Sequence, residues 1–121
     1  MNGIVDGSMR ALLDVSVAAV KGAGKQVIPV WIDTAFNGGL VIPRQHIKRL
    51  GLKQASTTQA TLADGRTVDL ETFTCHLEWF GHEYRTQVIA NDGEFSLLGT
   101  QLLADRTLTI DYKTKTVVLE D

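Results

Sequence analysis

Asp33, Thr34 and Ala35 are the residues whose types and spacing are best suited to chemistry. They follow directly on a hydrophobic run, Val27, Ile28, Val30, Trp31 and Ile32, and lead into a turn holding Gly38 and Gly39. A strand that ends in a carboxylate and a tight turn presents that carboxylate at a fixed point on a rigid scaffold. A core strand has no use for an aspartate there, because desolvating an unpaired one is costly. Asp33 is therefore either a turn residue at the surface or a catalytic group held in place.

The elements that must position it read as mostly β. Residues 1 to 10 are expected to form a flexible N-terminal arm. From residue 11, Leu13, Val15, Val17 and Ala19 alternate with Asp14, Ser16 and Ala18, the pattern of a half-buried strand. A glycine turn, Lys21 to Lys25, joins it to a second strand from Gln26 to Ile32, and the two read as a hairpin. Pro29 inside that second strand argues for an edge or a bulge. After the Asp33 turn, Leu40 to Ile42 is a short strand. Pro43 then opens a short helix over Arg44 to Leu50, where its missing N–H does no harm, and Gly51 stops it. Residues 59 to 74 read as a hairpin turning at Asp64-Gly65. Phe73, Cys75, Leu77 and Trp79 share the apolar face of the next strand; Gly81-His82 is a turn, and Glu83 to Ala90 a return strand. Leu97, Leu98 and Gly99 lead into a second short helix, Thr100 to Asp105. Leu108, Ile110 and Tyr112 mark a strand, and Val117 to Leu119 the last one. The expected fold class is all-β, a closed barrel with two short helices, in one domain spanning residues 11 to 121.

Composition bounds the partners. The chain has 121 residues, 44% hydrophobic and 21% charged, with a formal net charge of −2, an ordinary balance for a single globular domain. There is no basic patch, so nucleic acid is not an expected partner. No apolar run approaches the ~20 residues of a membrane-spanning helix, and no membrane association is expected. The N-terminus has no basic region followed by a long apolar stretch, so no secretory signal is expected. A single cysteine, Cys75, cannot form an internal disulfide and fits a reducing compartment; the expected localisation is cytoplasmic.

The order of these features resembles the retropepsin-like aspartic proteases over roughly residues 11 to 112. That family carries hydrophobic-hydrophobic-Asp-Thr/Ser-Gly in its N-terminal third, and hydrophobic-hydrophobic-Gly before a C-terminal helix. Here the first motif stands as Trp31-Ile32-Asp33-Thr34-Ala35 and the second as Leu97-Leu98-Gly99, with a hairpin between them. The resemblance implies an aspartic endopeptidase that hydrolyses peptide bonds with two carboxylates and one water. One carboxylate is the general base, and the other, protonated, donates to the scissile carbonyl. Two like charges held close share a proton. With one Asp-Thr motif per chain, it implies a homodimer with Asp33 of each subunit at the two-fold axis, a peptide or protein substrate, and no cofactor. Thr34 would brace the two active-site loops through its hydroxyl. Ala63, Asp64, Gly65 and Arg66 would tip the substrate-binding flap. Leu97, Leu98 and Gly99 would support the catalytic loop from behind.

Ala35 departs from the family's glycine. It keeps the backbone N–H that helps to hold the carboxylate. At a positive φ it would be strained by about 1 kcal/mol or more; at a negative φ it would be harmless. A non-catalytic dimeric peptide-binding module on the same fold is the alternative, with Ala35 a symptom of lost catalysis. A third reading is a small barrel that merely assembles with another chain. Other polar residues have plainer readings. Asp64-Gly65 is the commonest kind of hairpin turn, and its flap role comes from the resemblance alone. Asp14, Asp69, Asp105 and Asp111 read as solvated strand or turn residues. Cys75 reads as a small core residue. Cys75 and His76, adjacent on a strand, point to opposite faces, and no metal site is expected.

Overall fold

The computed structural model describes residues 1–61 and 64–121. Ten strands and one α-helix follow in the order β1 (Asn2–Val5), β2 (Ala11–Ala18), β3 (Gln26–Ile32), β4 (Leu40–Pro43), α1 (Arg44–Leu50), β5 (Lys53–Thr61), β6 (Thr67–Trp79), β7 (His82–Asn91), β8 (Ser96–Leu98), β9 (Thr107–Asp111) and β10 (Thr116–Glu120). The fold class is all-β, as the alternation implies.

Six strands close a mixed barrel in the order β2, β3, β8, β4, β7, β6 and back to β2. Closure works because β2 and β6 change partners along their length. The first residues of β2 pair with β1 (Val5 with Ala11), while Ser16, Val17 and Ala18 pair with Glu78, Leu77 and His76 of β6. The N-terminal half of β6 pairs with β5, and its C-terminal half is shared between β2 and β7. The inward alternation of these strands fills the barrel: Leu13, Val15 and Val17 from β2, Val30 from β3, Leu77 from β6 and Leu98 from β8 are all essentially buried. Burying a side chain of this size contributes roughly 1.5–3 kcal/mol.

Helix α1 lies where Pro43 and Gly51 set its ends. Pro43 is its N-cap, and Gly51 takes a left-handed φ of 70° as its C-cap. Ile47 is the residue that it buries. Pro29 sits in the part of β3 that has no partner on its β8 side, since pairing with β8 begins at Val30. The turn between β6 and β7 is Phe80-Gly81, both at positive φ, with Trp79 opposite His82. That is a two-residue hairpin whose twist matches the strands.

Two expectations need correction. Residues 1 to 10 are not a loose arm: β1 lies between β2 and β10, pairing Ile4 with Leu12 and Gly3 with Val117. The partner of so short a segment lies at the other end of the chain, so local pattern does not reveal it. The second helix is also shorter than the expected Thr100–Asp105. Only Thr100–Leu102 forms a single 3-10 turn, and Asp105 has a φ of 62°, which helical backbone does not allow.

Candidate active site

Asp33 extends the β3–β8 pairing by one residue. Its N–H donates to the Leu98 carbonyl at 2.9 Å. The chain then turns: Oδ1 of Asp33 accepts the Ala35 N–H at 3.0 Å, and the Asp33 carbonyl accepts the Phe36 N–H at 3.2 Å. An aspartate that bonds its own backbone two residues on makes such a turn by itself. One carboxylate oxygen is thus oriented by the loop. The Asp33 side chain is half-buried, and Thr34 and Ala35 are exposed at the loop tip.

Residues 98 to 101 hold the loop from behind. Gly99 N–H donates to the Gly39 carbonyl at 2.7 Å, Thr100 N–H to Phe36 at 2.8 Å and Gln101 N–H to Gly38 at 3.1 Å. Gly99 has an extended backbone, φ −97° and ψ 178°, so its conformation does not require glycine. Space does. A Cβ at Gly99 would run into the Gly38 carbonyl oxygen and would lie 2.7 Å from that of Phe36. Leu98 is fully buried, while Leu97 is paired with Trp31 on the outer side of the same ladder. The structure therefore joins Asp33 to Leu98 and the loop that follows it to Gly99, while Thr34 and Ala35 stand at the loop's exposed tip.

Ala35 does not have a positive φ; among the described residues the non-glycines that do are Met9, Phe80, Asp105 and Lys115. Its methyl group is exposed. Alanine at this position carries no left-handed strain.

The remaining site residues lie elsewhere. Asp64, Gly65 and Arg66 form the exposed turn between β5 and β6, with Gly65 at a φ of 86°. Asp64 accepts the Arg66 N–H at 3.0 Å and its Nε at 2.6 Å. Among the described residues the tip has no hydrogen bond to the Asp33 loop; Ala63 lies outside the described residues. The hairpin behind the tip is longer than expected, with β5 exposed along nearly its whole length. Cys75 is fully buried, and burial pushes its thiol up to about 11, which suits a core residue and not a nucleophile.

The motifs name Trp31, Ile32 and Leu97 but not the pocket that they line, nor Phe95 and Arg10, which pack against Trp31. Trp31, Ile32, Asp33 and Leu97 line a pocket of about 200 Å³. Trp31 meets Phe95 edge to face, ring centroids 5.8 Å apart at 83°. The Arg10 guanidinium lies 4.1 Å from the Phe95 ring centre and 5.7 Å from that of Trp31. The available signal was the alternation of β3, which puts a tryptophan on the outward side two residues before Asp33.

No family model and no curated protein matches this chain. Solved structures do. The EIAV protease complexed with the inhibitor HBY-793 is 18% identical, with a TM-score of 0.60, covering 83% of this chain and 90% of that one. A retropepsin-like aspartic protease from Rickettsia conorii is 15% identical, with a TM-score of 0.65, covering 98% of this chain and 88% of that one. The chain has the retropepsin-like fold.

Proposed function

We propose that this chain is an aspartic endopeptidase that works as a homodimer, with Asp33 of each subunit forming the catalytic pair. The observation that carries this reading is the Asp33 loop itself. On a retropepsin-like fold, a half-buried aspartate stands at the end of β3, with one oxygen held by the Ala35 N–H. The loop behind it is tied by backbone hydrogen bonds from residues 98–101, and a pocket opens beside the carboxylate. Catalysis by positioned carboxylates needs such rigidity, because small displacements cost large factors in rate.

One chain carries one such motif, so the second carboxylate comes from a second copy. In the dimer one Asp33 is ionised and takes a proton from the attacking water. The other is protonated and donates to the carbonyl oxygen of the peptide, and the pair shares one proton through the cycle. Thr34, exposed beside Asp33, braces the facing loop. The β5–β6 hairpin, tipped by residues 63 to 66, closes over an extended peptide. Leu97, Leu98 and Gly99 keep the loop in register. The catalytic domain spans residues 11–121, and β1, which precedes it in the chain, completes its sheet between β2 and β10.

The test is hydrolysis of a mixed peptide library from acid to neutral pH by the chain and by Asp33→Asn, together with sedimentation at tens of micromolar. Cleavage that disappears in Asp33→Asn, from a species that sediments as a dimer, is the expected result. Undiminished cleavage by Asp33→Asn, or a monomer with full activity, overturns the reading.

A further inference from the structure

We propose that the groove between α1 and the root of the β5–β6 hairpin docks an acidic peptide segment of a partner protein, one that carries a bulky apolar side chain beside its carboxylates. The inference stands independently of the reading of Asp33. The small net charge of −2 hides an uneven distribution. Between Asp33 and Asp64 there is no acidic residue, and the four basic ones, Arg44, Lys48, Arg49 and Lys53, all fall on α1 or at the start of β5. The rest of the chain is correspondingly acidic, so this corner has the opposite sign and draws carboxylates toward it.

The four cations are not equivalent. Arg44 is shared between Glu71, at 3.2 Å, and Asp92, at 2.9 Å, and so neutralises groups already present. Lys48, Arg49 and Lys53 are exposed, and among the described residues none of them is ion-paired. The Arg49 guanidinium bonds Nδ1 of His46. Burial, and then the Arg49 charge, hold His46 below its usual range, so it adds no charge at neutral pH. The surplus positive charge therefore sits on Lys48, Arg49 and Lys53.

Concave apolar space lies beside these charges. Ile47 and Leu52, 3% and 8% exposed, and the partly buried Phe73 line a cavity of about 370 Å³ together with Arg44, Lys48 and Glu71. It has room for one large side chain. Charge alone would attract a nucleic acid or an anionic membrane as well. The cavity decides for a peptide, because neither a phosphate backbone nor a headgroup layer projects an apolar group into it. Among the described residues β5, which begins directly after Leu52, is an edge strand. Its outer N–H and C=O groups can pair with an extended segment leaving the cavity. Because Glu71 already faces Arg44, the incoming carboxylates lie toward Lys48 and Arg49.

Fluorescence anisotropy of the full chain with short labelled peptides tests this. The probes carry Glu-Phe-Glu, Gln-Phe-Gln or Glu-Gly-Glu in a Gly-Ser background, and anionic phospholipid vesicles and a single-stranded oligonucleotide stand for the other partners. Glu-Phe-Glu should bind at least about tenfold tighter than the other two peptides, and more weakly as salt rises. It should shift the amide NMR signals of residues 47–53 and 71–73. Lys48→Glu should lose most of this affinity and Lys48→Arg should keep it, both with the parent's thermal midpoint. Equal binding of the three peptides, binding of vesicles or oligonucleotide without Glu-Phe-Glu, no binding, or signal shifts confined to the Asp33 loop overturns the proposal. So does unchanged affinity in Lys48→Glu.

Discussion

The Asp33 loop and the β5–β6 hairpin are both turns that follow a strand, yet they are built in opposite ways. Residues 33–39 are tied to 98–101 by four backbone hydrogen bonds of 3.1 Å or less. Gly99 is pressed so closely against the Phe36 and Gly38 carbonyls that a single added carbon has nowhere to go. At the hairpin tip Arg66 bonds Asp64, and a Cβ added at Gly65 would meet nothing within 4 Å among the described residues. β5 is exposed over almost its full length and is laddered to β6. The first region is a fixed point; the described part of the second is exposed and is expected to exchange its amides sooner. The difference teaches that glycine does two different jobs here. At Gly99 it makes room, and at Gly65 it supplies a left-handed φ.

Four substitutions break or sharpen this contrast. Asp33→Asn has the largest expected effect, a loss of peptide hydrolysis by about a thousandfold or more, within the range for removing a general acid–base group. The amide keeps the carboxylate's shape and can still accept the Ala35 N–H, so circular dichroism and thermal midpoint should stay close to those of the parent. Gly99→Ala comes second. Because the groups that a Cβ would meet include backbone atoms, which cannot rotate away, urea unfolding should show about 1–3 kcal/mol of destabilisation, as for overpacking. Activity should fall too, since the loop is displaced along with the carboxylate.

Gly65→Ala is third. It strains only the local backbone, by about 1 kcal/mol. Gly65 lies in an exposed turn away from the barrel core, so global unfolding should register less than that, while amide exchange within the hairpin should speed up. Equal losses of global stability for Gly99→Ala and Gly65→Ala would remove the distinction between the two regions. Ala35→Gly is the smallest change. Ala35 has no positive φ, so the glycine relieves no strain. It should cost about 0.4–1 kcal/mol through the freedom that it adds to the unfolded chain, with peptide hydrolysis unchanged. A rise in activity would show that the alanine does restrain the loop.

The parts of this architecture that were legible in the sequence are those written locally. The alternation of Leu13, Val15 and Val17, the Pro43 and Gly51 boundaries of α1, and the Asp64-Gly65 turn each depend on a few adjacent residues whose preferences agree with the fold. The juxtaposition of Asp33 with Leu97-Leu98-Gly99 was legible only through family resemblance, because nothing local says that a segment more than sixty residues away donates its N–H groups to residues 36–39. The closure of the barrel by β2 on β6 and the insertion of β1 beside β10 were not legible for the same reason. The expected helix over Thr100 to Asp105 shrinks to one 3-10 turn, and Asp105 is left-handed, which its residue type does not announce. Trp31 stands in sequence as one member of an apolar run, and the alternation of β3 places it on the outward side.

The seating of β1 between β2 and β10 has a consequence for how the molecule assembles in time. The Leu119 N–H donates to the Met1 carbonyl at 2.8 Å, and the Val5 N–H to that of Lys115 at 3.0 Å. These bonds join the two extremes of the chain, so the loop that each must close is nearly as long as the chain itself. Pairings of such high sequence separation make folding slow, in the millisecond-to-second range for all-β domains, since loop entropy is lost before the contact is gained. The same proximity makes the chain suited to circular permutation. A short linker from Asp121 to Met1, with new ends in the exposed Lys21–Lys25 turn, turns the longest-range pairing into a local hairpin. Stopped-flow refolding of that permutant should therefore be faster than that of the parent, with the β1–β10 register unchanged.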